Sequence, residues 1–135
     1  MFHLEQIIAH GIGDYVLQSD QMAVQKTKSH RWALFHGIFY TIPFLFLTTS
    51  PEALLIIAGT HYLIDRYRLA MYVVWVKTLI DAVVLSPWDI RGYFTHVCND
   101  GFPEATPGFL RVWIYIIVDN LLHITINAAA IYYFG

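Results

Sequence analysis

Four long apolar stretches alternate with short polar ones along this chain, and polar side chains recur inside them at helical spacing. The first stretch, residues 2–24, carries His10, Asp14 and Gln18 four apart among Ile, Ala, Val, Leu and Tyr. On a helix this spacing stacks the three side chains on one face. The second, residues 32–49, reads W-A-L-F-H-G-I-F-Y-T-I-P-F-L-F-L-T-T and holds His36 and Pro43. The third, residues 52–68, holds His61 and Asp65 and ends in the charged run D-R-Y-R. The fourth, residues 109–134, is the longest and holds Asp119, His123 and Asn127. Ser50-Pro51-Glu52 reads as a tight turn, with Ser50 as an N-cap and Pro51 at the first helical position.

Two less regular segments lie between the third and fourth stretches. Residues 69–85 are apolar apart from Lys77 and Asp81, which an i,i+4 spacing would pair on one helix face. They read as an interfacial amphipathic helix, with a continuation of the third helix or a further span as alternatives. Residues 86–108 contain three prolines and three glycines. That composition marks a loop, long enough to act as a lid or docking surface.

Composition sharpens the class. The chain is 57% hydrophobic and only 13% charged, with a mean hydropathy of +0.51, whereas a soluble domain carries about 25% charged residues. The expected fold is all-α: a single polytopic membrane helix bundle of about four transmembrane helices plus one amphipathic helix, residing in the cytoplasmic (inner) membrane. Lys26, Lys28 and Arg31, with Arg66 and Arg68, would mark the cytoplasmic side and leave both termini outside. The first residues lack a basic n-region and include Glu5, so a cleaved signal peptide is not expected. A net charge of −2 gives no basic stripe for nucleic acid. Single Cys98 excludes an internal disulfide and a cysteine-rich zinc knuckle. The lipid bilayer is the expected partner, and a homo-oligomer is compatible with the sequence.

The candidate chemistry lies in His10, Asp14, His36, His61, Asp65, Asp119 and His123. A single His–Asp pair one turn apart is most often a structural hydrogen bond. Several such pairs in a chain this poor in charge are another matter, because an ionised Asp at a bilayer centre costs about 2.5–3.5 kcal/mol on insertion scales. Imidazole with carboxylate suits zinc, iron or manganese, and the seven residues could hold one or two such divalent ions. An ion with an open position generates a nucleophile from water at neutral pH, with Asp14 as the candidate general base. Straight spans rising about 1.5 Å per residue would spread the seven over a long polar cavity. The leading expectation is a membrane metal-dependent hydrolase acting on a lipid-linked or phosphate-ester substrate. The alternatives are a proton or ion conduit using the same His/Asp relay, and a non-enzymatic host-interaction or exclusion protein. Gln18 and Asp20 read as support or caps for the site, Arg66 and Arg68 as topology anchors, and His3, His30 and His96 as surface residues. The many tyrosines, Tyr40 and Tyr62 among them, read as interface belt and packing.

The blocks A-H-G-I-G-D-Y-V-L-Q-S-D-Q-M-A-V-Q-K, L-F-H-G, T-H-Y-L-I-D-R and V-D-N-L-L-H together resemble an uncharacterised family of small bacterial and phage integral-membrane proteins. His10, Gly13, Asp14, Gln18, Asp20, Met22, Ala23, Lys26, His36, His61, Asp65, Asp119 and His123 fall on its pattern. Residues 69–108 do not match that pattern. The resemblance implies no established activity. In style the chain is also similar to predicted membrane-bound metal-dependent hydrolases, a likeness that does not establish function.

Overall fold

The computed structural model describes residues 4–135; His3 lies outside the described residues. They form α1 (Leu4–Gly11), a π-helical turn (Ile12–Val16), α2 (Asp20–Gln25), α3 (His30–Thr41) and a 3-10 turn (Ile42–Phe46). These are followed by α4 (Pro51–Tyr67), α5 (Leu69–Leu85), α6 (Ile90–Phe94) and α7 (Gly108–Phe134). No strand occurs among the described residues beyond an isolated bridge between Val97 and Pro103. The chain divides into two compact units, one of Met1–Arg68 with Asn120–Gly135 and the other of Leu69–Asp119.

The expected set of about four membrane-spanning helices is not what forms. Among the described helices only α7, with 27 residues, is long and apolar enough to cross a membrane, where about 20 residues are needed. The multi-pass topology with outward termini therefore has no basis in the fold. Each shortfall has a local cause. The first apolar stretch breaks after the π turn, where Ser19 is extended and caps α2 by accepting from the Met22 N–H at 3.3 Å. In the second, Pro43 has no N–H to give to an i−4 carbonyl, and α3 stops after 12 residues and tightens into the 3-10 turn. The third yields the 17-residue α4, which carries Glu52, Asp65 and Arg66. Ser50 caps α4 through the Ala53 N–H at 3.3 Å, with Pro51 in its first turn. Arg68, left-handed at φ 52°, ends it. Residues 69–85 then begin a separate helix, and Lys77 pairs with Asp81 at 3.1 Å on its exposed face.

The first unit is centred on Ala9, Tyr40, Phe44, Ile57 and Ala130, surrounded by Leu47, Leu54, Ile56 and Ile131. Two glycines set its closest approaches. A Cβ on Gly13 would lie 2.7 Å from the Tyr40 carbonyl oxygen, and one on Gly37 would lie 3.1 Å from that of Ala58. The π turn is thus pressed onto α3, and α3 onto α4. This is the packing that places the polar residues.

In the second unit the expected loop is short of freedom rather than open. Asp89 caps α6 through the Gly92 N–H at 2.9 Å. Arg111 donates to the carbonyls of Thr106, Pro103 and Glu104 at 2.8, 3.1 and 2.9 Å. Thr78 donates to the Gly101 carbonyl at 2.7 Å and Tyr115 to that of Asp100 at 2.8 Å. Gly101 takes φ +84°, and a Cβ there would lie 3.1 Å from the Trp75 ring.

Candidate metal centre

His61 and Asp65 lie one turn apart on the buried face of α4, toward His36 on α3. Asp14 reaches the same point from the π turn. An extra residue in a helical turn re-aims the side chains it carries, and such turns recur at functional sites. The result is a tight convergence. His36 Nε2 lies 3.1 Å from Asp14 Oδ1 and 3.2 Å from Asp65 Oδ2. His61 Nε2 lies 3.0 Å from Asp65 Oδ2, 3.9 Å from Asp14 Oδ1 and 2.9 Å from His36 Nε2.

These separations are those of a hydrogen-bonded cluster and would also suit a coordination shell. Four ligands at zinc bond lengths of about 2.0–2.1 Å span a tetrahedron with edges of about 3.3–3.4 Å, and the observed edges of 2.9–3.9 Å bracket that value. The buried Asp14, His36, His61 and Asp65 can hold a metal ion. The two imidazole nitrogens, 2.9 Å apart, both face the same two carboxylates.

For Asp14, Asp65 and His61 the electrostatics give the protonation pattern that a metal requires, and for His36 they run the other way. Burial alone would raise the Asp14 carboxyl, but the His36 hydrogen bond and the charges of Lys26 and His61 hold it below the usual carboxylate range. Burial acts likewise on Asp65, and hydrogen bonds with His123, His36 and His61 outweigh it, holding Asp65 well below that range. Burial pushes His61 down to about 4 against the pull of Asp65. His36 is displaced upward, since its hydrogen bonds to Asp14 and Asp65 outweigh its burial. Ionised carboxylates and a neutral imidazole are the forms that ligate metals.

A second layer of polar groups backs the four donors. Tyr40 stacks on His61 with ring centroids 3.5 Å apart and planes at 14°. His123 Nδ1 lies 3.1 Å from His61 Nδ1, and its Nε2 lies 3.7 Å from Asp65 Oδ1. Asn127 donates to the Tyr40 hydroxyl. His10 Nδ1 lies 2.8 Å from that hydroxyl, and its Nε2 lies 2.8 Å from Asn120 Oδ1 and 4.0 Å from Asp14 Oδ2. The exposed Tyr15 donates to the same Asn120 oxygen at 2.9 Å. Lys26, just after α2, brings its ammonium to 3.0 Å from Asp65 Oδ2 and 3.5 Å from Asp14 Oδ1.

Of the seven residues singled out by sequence, Asp14, His36, His61 and Asp65 form the donor set, while His10 and His123 are buried beside it. Asp119 is half-buried on α7, one turn before His123, and belongs to the second unit. Gln18 is half-buried and Asp20 exposed. His96 is exposed, and exposed His30 bonds the Tyr62 hydroxyl at 2.7 Å. The sequence reads Tyr40 as packing and Lys26 as a cytoplasmic-side charge, and neither as part of the site. Tyr40 follows His36 by one turn, and that spacing was the available signal. An apolar cavity of about 540 Å3 has Ile8, Ile12, Leu17, Ile42 and Phe46 in its wall and none of the four donors.

A family profile described as "Protein of unknown function (DUF3307)" matches residues 2–134. The chain belongs to that family. No curated protein and no solved structure matches it.

Proposed function

We propose that this protein is a metal-dependent hydrolase that acts at a membrane on a lipid-linked or phosphate-ester substrate. The observation that carries the reading is the convergence of Asp14 Oδ1, His36 Nε2, His61 Nε2 and Asp65 Oδ2 at tetrahedral spacing in a buried site. Zinc fits this donor set best, with iron or manganese next.

The residues divide by how firmly they are placed. His36, His61 and Asp65 lie within 3.2 Å of one another on two packed helices and would be the lasting ligands. Two imidazoles and a carboxylate with one exchangeable position is a recurrent catalytic set for zinc. Asp14 stands farthest, 3.9 Å from His61, on the π turn. It would yield its place to water and accept that water's proton as general base, with its Oδ2 facing His10. The metal's share is to lower the pKa of bound water to about 7. His123, whose Nδ1 lies 3.1 Å from His61 Nδ1, would orient that imidazole, as outer partners of metal-bound histidines do.

The membrane part of the reading is supported by α7, of whose most apolar stretch less than a quarter is buried. The apolar cavity, whose wall shares Ile12 with the turn that carries Asp14, suits the hydrocarbon of a lipid substrate. A second reading, a proton relay, is favoured by the run of imidazoles His123, His61 and His36, whose ring nitrogens meet at 3.1 and 2.9 Å.

The deciding experiment is elemental analysis of protein purified in mild detergent without a His-tag, beside a His61→Ala/Asp65→Asn variant. One equivalent of metal in the wild type, lost in the variant, is expected. Folded wild type that neither carries metal nor takes it up on resupply rules out the hydrolase and leaves the relay.

A further inference from the structure

Lys26 is the feature that the metal reading leaves unexplained. Its ammonium stands 3.0 Å from Asp65 Oδ2, 3.5 Å from Asp14 Oδ1 and 3.4 Å from His36 Nε2, over one face of the donor tetrahedron. A divalent ion at the centre of that tetrahedron would lie about 3–4 Å from Nζ by the same bond lengths. Two cations do not share that space comfortably, least of all in a site removed from water. The ammonium must leave its carboxylates when the metal takes them.

The direction in which it can leave is marked by exposure. The Lys26 side chain is 15% exposed, whereas those of Asp14, His36, His61 and Asp65 are 5% exposed or less. Lys26 therefore runs between solvent and the donor set, and a substrate arriving along its stem would meet the ammonium next to the metal. A lysine on its flexible four-carbon stem is a point-charge binder of phosphate.

Resting on the hydrolase reading above, we propose that Lys26 is the phosphate-recognising residue of this centre. While metal is absent it balances the charge of Asp14 and Asp65. Once metal takes the site and holds Asp65, it turns to a phosphoryl oxygen of the substrate, in either a free phosphate ester or a lipid headgroup.

The test uses the full chain in mild detergent and three proteins: wild type, Lys26→Met and Lys26→Arg. Calorimetric titration gives zinc affinity first. Inorganic phosphate and micelles containing phosphatidic acid are then titrated into the zinc-loaded forms. Removing the competing charge should tighten zinc binding by about tenfold or more in Lys26→Met, while phosphate binding weakens by about tenfold or more. Lys26→Arg, which keeps the charge and serves if Lys26→Met does not fold, should retain phosphate within about threefold. Binding of inorganic phosphate points to a soluble ester, and binding of phosphatidic acid alone to a lipid substrate; either supports the assignment. Unchanged phosphate binding in Lys26→Met overturns it with the metal centre intact. So does loss of phosphate binding in Lys26→Arg when Lys26→Met cannot be obtained. Absence of zinc binding in every protein removes the metal reading itself, and this assignment with it.

Discussion

Two glycines two residues apart should respond to the same substitution with opposite signs. Gly11 ends α1 in helical conformation, φ −62° and ψ −38°, and a Cβ there meets nothing within 4 Å. Gly11→Ala should therefore gain the helix propensity of alanine over glycine, about 0.8–1 kcal/mol. At Gly13 the new Cβ would lie 2.7 Å from the Tyr40 carbonyl oxygen and 3.1 Å from its Cα. Both are backbone atoms, so α3 or the π turn has to move by several tenths of an ångström or more. Overpacking of this kind costs about 1–3 kcal/mol, which matches or exceeds the propensity gain. The two variants should differ by about 1–3 kcal/mol in urea unfolding followed by circular dichroism, with Gly11→Ala the more stable. Metal affinity separates them further. Asp14 rides on the turn that Gly13→Ala displaces, and ligand geometry tolerates only about 0.2 Å. Gly11→Ala should bind zinc as wild type does, and Gly13→Ala more weakly. Equal stabilisation of both variants, with equal zinc affinity, would refute the close approach of the π turn to Tyr40.

Three further expectations follow from the same geometry. Asp65→Asn removes the carboxylate facing both donor imidazoles, and should weaken zinc binding by at least about 100-fold, beyond the loss typical of an outer-sphere partner, in a competition titration. His61 stays neutral in the folded metal-free chain because its pKa lies near 4 against 6.5 when unfolded. Between those values the unfolded chain binds the extra proton, so stability falls as pH drops from 6.5 toward 4, by about 3 kcal/mol from this residue. His36, displaced upward, acts oppositely: its contribution is full below 6.5 and fades as pH rises through its folded value. Urea midpoints across this range should show a shallower acid loss in His61→Leu than in wild type, and an unchanged acid slope would contradict the burial of a neutral His61. In the second unit, Arg111→Ala should strip hydrogen-exchange protection from residues 96–106, and protection equal to wild type would show that the loop is held by something other than the arginine.

The polar residues of the site were legible because a helix repeats. The i,i+4 spacing of His61 and Asp65 placed both on one face of α4, and that face is the buried one. Depth was not legible. Measuring along straight spans separates Asp14 from Asp65 by many ångströms, whereas the break at Ser19 and the π turn bring Asp14 within 3.1 Å of His36. Apolar content was a poor guide to span length for the same reason, since it does not register where Pro43 or an extended Ser19 ends a helix. Lys26 reads as a loop charge because nothing local to Q-K-T-K shows that its stem reaches two carboxylates distant in sequence.

The order of the chain also sets an order of assembly. All four donors come from the first 65 residues, whereas His123 and Asn127 arrive from the distant end of the chain. On a ribosome adding about 5–20 residues per second, the donor set is synthesised roughly 3–12 s before His123 exists. The four residues that could hold a metal ion are thus complete in the nascent chain before the helix that backs them has been made.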